Sequence, residues 1–550
     1  MRVRPAQARQ QPAPAPAHRR PILISLMVTM ALSAVDNTIV ATAIPQVVRD
    51  LGGFSLFSWV FSAYLLTQTV TIPIYGKLAD LWGRKPILIT GTVVFLAGSA
   101  LSAASWDMVT LICFRAMQGI GAGSIMATVN TLAGDLYKVE ERGRVQGWLS
   151  SVWGISAVFG PTVGGSLAQY ASWRWIFLIN LPLGVGAITL IARYLREDVS
   201  RSRHRIDVAG AALVLVAAGA LVFGLLQGGV AWPWLSPRSV AVFAVAALAG
   251  AAAVAAERRA AEPILPPWLW RRRALAGFSL ASTGLGLLVI GPTTFLPSYG
   301  QLVLGLGAVA AGAVLATMSL GWPLASSQSA RLFLRIGFRD TALIGAALCL
   351  AAVAVFAALP GPVGVWTAAA DTFVLGAGLG LLSVCAVVGP QSMVGWGQRG
   401  VVTGNVMFCR YLGQSVGAAI FGAIFNTTLG ERLRSAPAAL RGSLPRSVSG
   451  IDSAIASSTS SSSPAGPSQA GSHGPGPAAQ AYLRDAITAA THHVYLGLTV
   501  AALAAIAVLI GVIPRRPRAA AAGPPGAPGG PGAAGAGSQP SQAPASRDPF

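Results

Sequence analysis

The sequence predicts an all-α polytopic membrane protein. Three observations carry that prediction. Apolar residues fall in blocks of roughly 20, separated by short Arg-bearing stretches, and about 20 residues at a helical rise of about 1.5 Å cross a hydrocarbon core. Only 10% of residues are charged against 53% hydrophobic, with a mean hydropathy of +0.62. The basic residues, finally, gather in alternate gaps between blocks. Inside a bilayer every backbone N–H and C=O must be bonded internally, so only helices or closed barrels span it. These blocks are too long and too unalternating for barrel strands.

Fourteen spans are predicted: 22–45, 56–74, 86–105, 107–130, 145–170, 174–195, 206–227, 238–256, 273–296, 305–328, 339–359, 365–388, 401–425 and 491–513. The first follows an Arg/Pro/Ala-rich stretch. It is too long for a signal-peptide core and contains Asp36, so it is read as a retained span. With both termini cytoplasmic, 29 of the 39 Lys and Arg residues fall on the cytoplasmic side, eight outside and two, Arg115 and Arg410, within spans. That bias supports both the count and the orientation. It also explains the formal net charge of +21 without a nucleic-acid partner. Segments 1–21 and 514–550 are read as disordered cytoplasmic tails. Residues 426–490 are read as a long extracellular loop, disordered by default over its Ser/Gly/Pro-rich middle, with a short helix or hairpin left open near either membrane end. The four cysteines, Cys113, Cys349, Cys385 and Cys409, lie in apolar blocks without metal spacing and read as small buried residues.

The chain repeats itself. Gly83 in the loop Gly76–Lys85 matches Gly337 at an offset of 254. Gly119, Gly121 and Gly123 match Gly376, Gly378 and Gly380 at 257, as Gly147 and Gly160 match Gly404 and Gly417. Span 1 therefore maps onto span 9 in the same direction. This gives an N-terminal six-helix half (22–195), two inserted helices (206–256) and a C-terminal half (273–513). Parallel halves around an aqueous site are an architecture of transporters.

Ionisable residues in spans mark function unless they cap or bond a neighbouring helix. Asp36 lies mid-span in A-V-D-N-T-I-V-A-T-A-I-P. Arg115 opens R-A-M-Q-G-I-G-A-G; a buried Arg needs a partner, Asp36 is the candidate, and Gln118 adds a hydrogen bond. Span 5 carries G-P-T-V-G-G, in which Pro161 removes a backbone donor and Gly160, Gly164 and Gly165 thin the surface for packing. In the loop G-K-L-A-D-L-W-G-R-K, comprising Gly76, Asp80, Gly83, Arg84 and Lys85, Asp80 is placed to meet a helix N-terminus or Arg84 and latch the two halves. The second copy of that loop has Leu334 in place of the acid. Arg410 and Asp371 are possible additional sites, Asp371 otherwise reading as a solvated end residue. His492 and His493 read as an interfacial pair or a pH-sensitive one. Trp59, Tyr64, Trp153 and Phe408 line a cavity or pack.

On these motifs the chain resembles the major facilitator superfamily, specifically its fourteen-span drug:proton antiporter branch. The resemblance covers roughly residues 20–425 and the last span. It implies the major facilitator fold and proton-coupled export of amphiphilic drugs or toxic small molecules by alternating access. The proton is then the coupling ion, with no cofactor. It also implies proton coupling by Asp36 and Arg115, an antiporter motif at Gly160–Gly165 (with Ser156 where Gly is usual), and a gate at Gly76–Lys85. The run Trp173–Gly184 is a family marker read as a structural anchor. Expected partners are a small-molecule substrate and membrane lipids, the functional unit a monomer, the location the cytoplasmic membrane, and the phenotype antibiotic resistance. Two alternatives stay open: dedicated export of an endogenous secondary metabolite, and proton-coupled import if the span-5 motif is only a kink. A membrane enzyme is disfavoured, since no His/Asp/Glu constellation or metal spacing is present, and there is no G-x-x-x-x-G-K-[ST] loop for ATP.

Overall fold

A computed structural model describes residues 16–52, 56–197, 208–228, 232–260, 263–359, 361–440, 444 and 477–515. The outer tail residues and most of the 426–490 segment lie outside the described residues. Helices in chain order are α1 Pro16–Leu51, α2 Phe57–Trp82, α3 Arg84–Ala103, α4 Met108–Leu136, α5 Val139–Tyr170, α6 Trp175–Leu178, α7 Asn180–Tyr194, α8 Val208–Gln227 and α9 Pro237–Glu257. Then come α10 Pro267–Arg271, α11 Arg273–Leu302, α12 Ala308–Ile336, α13 Phe338–Ala358, α14 Val365–Ser392, α15 Arg399–Arg434 and α16 Pro477–Gly511. Among the described residues there is no β-strand, only one isolated bridge between Gly228 and Trp232. Eleven of the described helical segments are long and apolar enough to cross a membrane. The three other long helices, α2, α5 and α12, are more polar and supply the seam described below, so the fourteen-span reading fits.

The helix ends follow from local chemistry. Asp107 starts α4, its carboxylate accepting from the Thr110 amide at 2.7 Å while Thr110 reaches back to the Asp107 amide. Gly83, at φ 98°, closes α2 and opens α3; its repeat counterpart Gly337, at φ 89°, does the same between α12 and α13. Only glycine takes that backbone without strain.

The repeat seen in the glycines is physical. A Cβ on Gly119 or Gly123 would strike α2, and one on Gly121 would strike α3 at Phe95 and Gly91. In the other half Gly376 and Gly380 press on α12, and Gly378 on Gly345 and Cys349 of α13. Small residues let the backbones approach where no hydrophobic force draws helices together. The halves meet along two equivalent seams. Gly143, Gly147 and Gly154 of α5 lie against Ala330, Ser327 and Ser319 of α12, while Gly400 and Gly404 of α15 lie against Gly76 and Ile72 of α2.

Helices α8 and α9 pack where Gly224 of α8 faces Phe243 and Val242 of α9, Trp234 of the connecting loop stacks on Phe243 at 6.5 Å, and α8 joins α2 through Phe223 and Trp59 at 5.5 Å. Trp59 therefore packs in this attachment. Two sequence expectations are corrected: residues 16–21 of the tail read as disordered are helical, and Cys113 is not buried. Helices α15 and α16 run past the predicted spans, to Arg434 and from Pro477, because a helix satisfies its own backbone wherever its side chains change from apolar to polar. His492 and His493 hence sit inside α16 rather than at its start. Cys113 is exposed on α4, whereas Cys349, Cys385 and Cys409 are buried.

Candidate functional site

The first site is a polar knot inside the N-terminal half. Asp36 of α1 is fully buried, as are Arg115 and Gln118 of α4 and Asn180 of α7. Arg115 Nη1 donates to Asp36 Oδ2 at 2.5 Å and to Gln118 Oε1 at 2.7 Å, and Gln118 Nε2 donates to Asp36 Oδ1 at 2.8 Å. Arg115 Nε donates to the Val60 carbonyl at 3.2 Å, and the guanidinium carbon lies 4.2 Å from the centre of the Tyr64 ring. The Tyr64 hydroxyl bonds Ser33 at 2.9 Å, placing it in the same network. Three helices thus hold one carboxylate, one guanidinium and two amides out of contact with water. A buried pair of this kind is destabilising to break, because the orphaned charge stays desolvated, by about 3–5 kcal/mol.

Asn180 is the member that sequence reasoning missed. It lies in the run read only as an anchor, yet its Nδ2 reaches Asp36 Oδ1 at 3.4 Å and Ser99 Oγ at 3.0 Å. The anchoring part of that run is also present: Trp173 Nε1 donates to Asp50 at 2.8 Å.

The G-P-T-V-G-G segment lies on α5 beside this knot. Gly160 faces Thr38 of α1, whose hydroxyl a Cβ would overlap, and Thr38 donates to the Ser156 carbonyl at 3.0 Å. Gly164 is buried, whereas a Cβ on Gly165 would meet nothing within 4 Å. The side chain of Pro161 lies outside the described residues.

The second site joins the halves at the end carrying the α2–α3 loop. Asp80 Oδ1 accepts from the Gly400 amide at 2.9 Å and from Arg84 Nη2 at 2.8 Å; Asp80 Oδ2 accepts from the Val401 amide at 2.8 Å. Those amides open α15, where free N–H groups favour an anion. Arg84 Nη2 also donates to the Trp396 carbonyl at 2.6 Å, with its guanidinium 3.5 Å from the Trp396 ring centre. Arg84 Nε reaches Asp135 at 2.9 Å, and Asp135 takes a second bond from Arg399 at 2.9 Å. Glu197 accepts from the backbone amides of Arg84 and Lys85 at 2.8 and 2.7 Å, capping α3, while Lys85 Nζ donates to the Ala192 carbonyl. Burial pushes the Asp80 carboxyl up to about 6, against the downward pull of Arg84 and the two amides. Gly76 is small because a Cβ there would lie 2.5 Å from the Gly400 carbonyl. Asp135, Arg399 and Glu197 were not singled out from sequence. Each sits near a helix end, where a charge reads as solvated.

Of the possible additional residues, Asp371 is not the solvated end residue that its position suggested. It is only 7% exposed, and its Oδ2 lacks a partner among the described residues, as do the buried His492 Nε2 and Tyr495 hydroxyl. Helix α14 is wrapped by α12 and α13, so a position near its outer end is covered. Arg410 lies apart from both networks, beside Trp322. Trp153 and Phe408 are half-buried against the N-terminal core.

Comparison with known proteins agrees with this architecture. The family model described as Major Facilitator Superfamily matches residues 26–418. The chain is 32% identical over 432 residues to Multidrug transporter protein MdtP of Bacillus subtilis, covering 78% of this chain and 80% of that one. It is 32% identical over 434 residues to an Acurin A biosynthesis cluster MFS-type transporter of Aspergillus aculeatus, covering 76% and 77%. Among solved structures, a bacterial homologue of the iron transporter ferroportin in an outward-facing state superposes with a TM-score of 0.58 at 12% identity, over 90% of this chain and 98% of that one. With duplicated halves, a glycine-lined seam and relatives matched over most of their length, the chain belongs to the Major Facilitator Superfamily.

Proposed function

We propose that the protein is a proton-coupled exporter of amphiphilic small molecules, set in the cytoplasmic membrane with both termini inside. The observation that carries this reading is the buried Asp36–Arg115–Gln118 knot, bonded on one side to α4 and flanked by Gly160 of the α5 motif on the other. A carboxylate there can hold either a proton or a guanidinium. Protonation removes the charge that α4 holds against α1, and so shifts the balance between cavity openings. Export is supported by relatives named as a multidrug transporter and as Multidrug resistance protein 3, both of Bacillus subtilis.

In this reading the Asp80–α15 contact is the cytoplasmic latch, closed in the structure described. The driving force is sufficient: one charge crossing gains about 2.3 kcal/mol per 100 mV, and each pH unit adds about 1.4 kcal/mol. The experiment is a compound screen in an efflux-deficient host, followed by accumulation assays with an uncoupler. Expression should lower accumulation of the selected compounds, and the uncoupler should abolish the effect at constant ATP. Efflux that survives the uncoupler but fails on ATP depletion refutes the reading. A dedicated exporter of an endogenous metabolite is the second reading, favoured by the relative named for a biosynthesis cluster.

A further inference from the structure

The arginines in the helix bundle are not alike: Arg84, Arg115 and Arg142 are buried, whereas Arg410 is partly exposed. Arg84 and Arg115 each meet carboxylates, and Arg142 meets the carbonyls of Tyr137 and Gly134. Arg410, in the middle of α15, has no ion pair and no hydrogen-bonded acceptor among the described residues, and its Nε is buried without a partner. What it has is Trp322 of α12, whose ring centre lies 5.0 Å from the guanidinium carbon. That indole is itself held, Nε1 donating to Ser383 of α14 at 3.1 Å.

The position of Arg410 gives its direction. Thr403 precedes it by seven residues, about two turns, and so shares its face of the helix. Thr403 accepts from Gln391 Nε2 of α14 at 2.9 Å, and the same amide donates to the Asn130 carbonyl of α4 at 3.0 Å. This face of α15 therefore looks toward the meeting line of the two halves. Gln391 and Asn130 close that line on the latch side, and Arg410 stands about 10 Å above them at 1.5 Å per residue. Neither acid of the spans neutralises it. Asp36 is bonded to Arg115, and Asp371 lies twelve residues from Ser383 on α14, about 18 Å along the axis.

A partly desolvated guanidinium with an orphaned Nε and no anion is costly, and the cost is recovered when a carboxylate arrives. Stacking on an indole covers the face of the group and leaves its N–H edge free for two parallel bonds to a planar oxyanion. We propose that Arg410, backed by Trp322, is the headgroup subsite of the central cavity, and that it selects amphiphiles bearing one carboxylate. The apolar part of such a molecule lies along Trp322. The proposal rests on the exporter reading for its setting but is tested by equilibrium binding, which needs no gradient.

The test uses the full chain in lipid nanodiscs and calorimetric titration with matched pairs. These are naphthalene-1-acetate and its amide, indole-3-acetate and its amide, and biphenyl-4-carboxylate and its amide. At least one acid should bind tenfold or more tightly than its amide. Arg410→Gln should bring that ratio to about one by weakening the acid, and Arg410→Lys should keep part of the preference. A panel in which no acid outbinds its amide overturns the proposal, as does Arg410→Gln with the preference intact. If Arg410→Gln does not fold, Arg410→Lys with a preference equal to the native one overturns it as well. Binding preference without gradient-driven transport would strike only the exporter reading.

Discussion

Replacing Asp36 by Asn is the sharpest perturbation of the coupling knot. The amide is nearly isosteric and its oxygen still accepts from Gln118 Nε2, so packing changes little. What changes is charge. Arg115 keeps its bonds to Gln118 Oε1 and Val60 but loses the 2.5 Å contact with a carboxylate, at a site with no exposure. Removing one partner of such a pair costs about 3–5 kcal/mol. The variant should therefore unfold at lower temperature, and Asp36→Asn combined with Arg115→Gln should recover part of that loss because no orphan charge remains. In proteoliposomes, transport driven by an imposed pH gradient should fall at least a hundredfold in Asp36→Asn. Facilitated exchange without a gradient should persist. Gradient-driven transport within twofold of native, or a double variant no more stable than Asp36→Asn alone, refutes the assigned role.

Three other predictions follow from geometry. Gly400→Ala places a Cβ within overlap distance of the Gly76 carbonyl and of Asp80, so spin labels across the latch should show the closed distance depopulated. Gly121→Leu drives a side chain into the backbone of Phe95, and should lower the thermal midpoint through overpacking of about 1–3 kcal/mol or more. Asp80 binds its proton more readily when latched, near 6, than when open to water, near its ordinary value of about 4. The sign follows: closure should gain as pH falls between about 6 and 4, by about 1.4 kcal/mol per unit, and be insensitive above. The same spin-label distances read that shift, and Asp80→Asn should remove it.

Much of this was legible in the sequence because lipid imposes one-sided rules. Apolar blocks of bilayer length must be helices, and glycines recurring at a fixed offset must serve the same packing twice. Gly121 and Gly378 show this, each seating a helix against the third of its own half. An Asp and an Arg at the same depth announce each other by charge. Asn180 carries no charge and sits in an apolar run, so nothing in its surroundings signalled a bond to Asp36. Asp135, Glu197 and Arg399 were hidden for the opposite reason: at helix ends a charged residue is unremarkable until the fold closes over it. The ends of α15 and α16 escaped because hydropathy reports the bilayer, whereas a helix stops only where its backbone does.

The grip of Asp80 on Gly400 and Val401 has a genetic corollary. One jaw of that clasp is a side chain and the other is main chain. Point changes can delete the acid, but no change of side-chain functional group in α15 removes the two donors, short of proline or a bulk that pushes the helix away. A hunt for loosened variants should therefore return a lopsided harvest: polar losses at position 80, and only steric or proline alleles at 400 and 401.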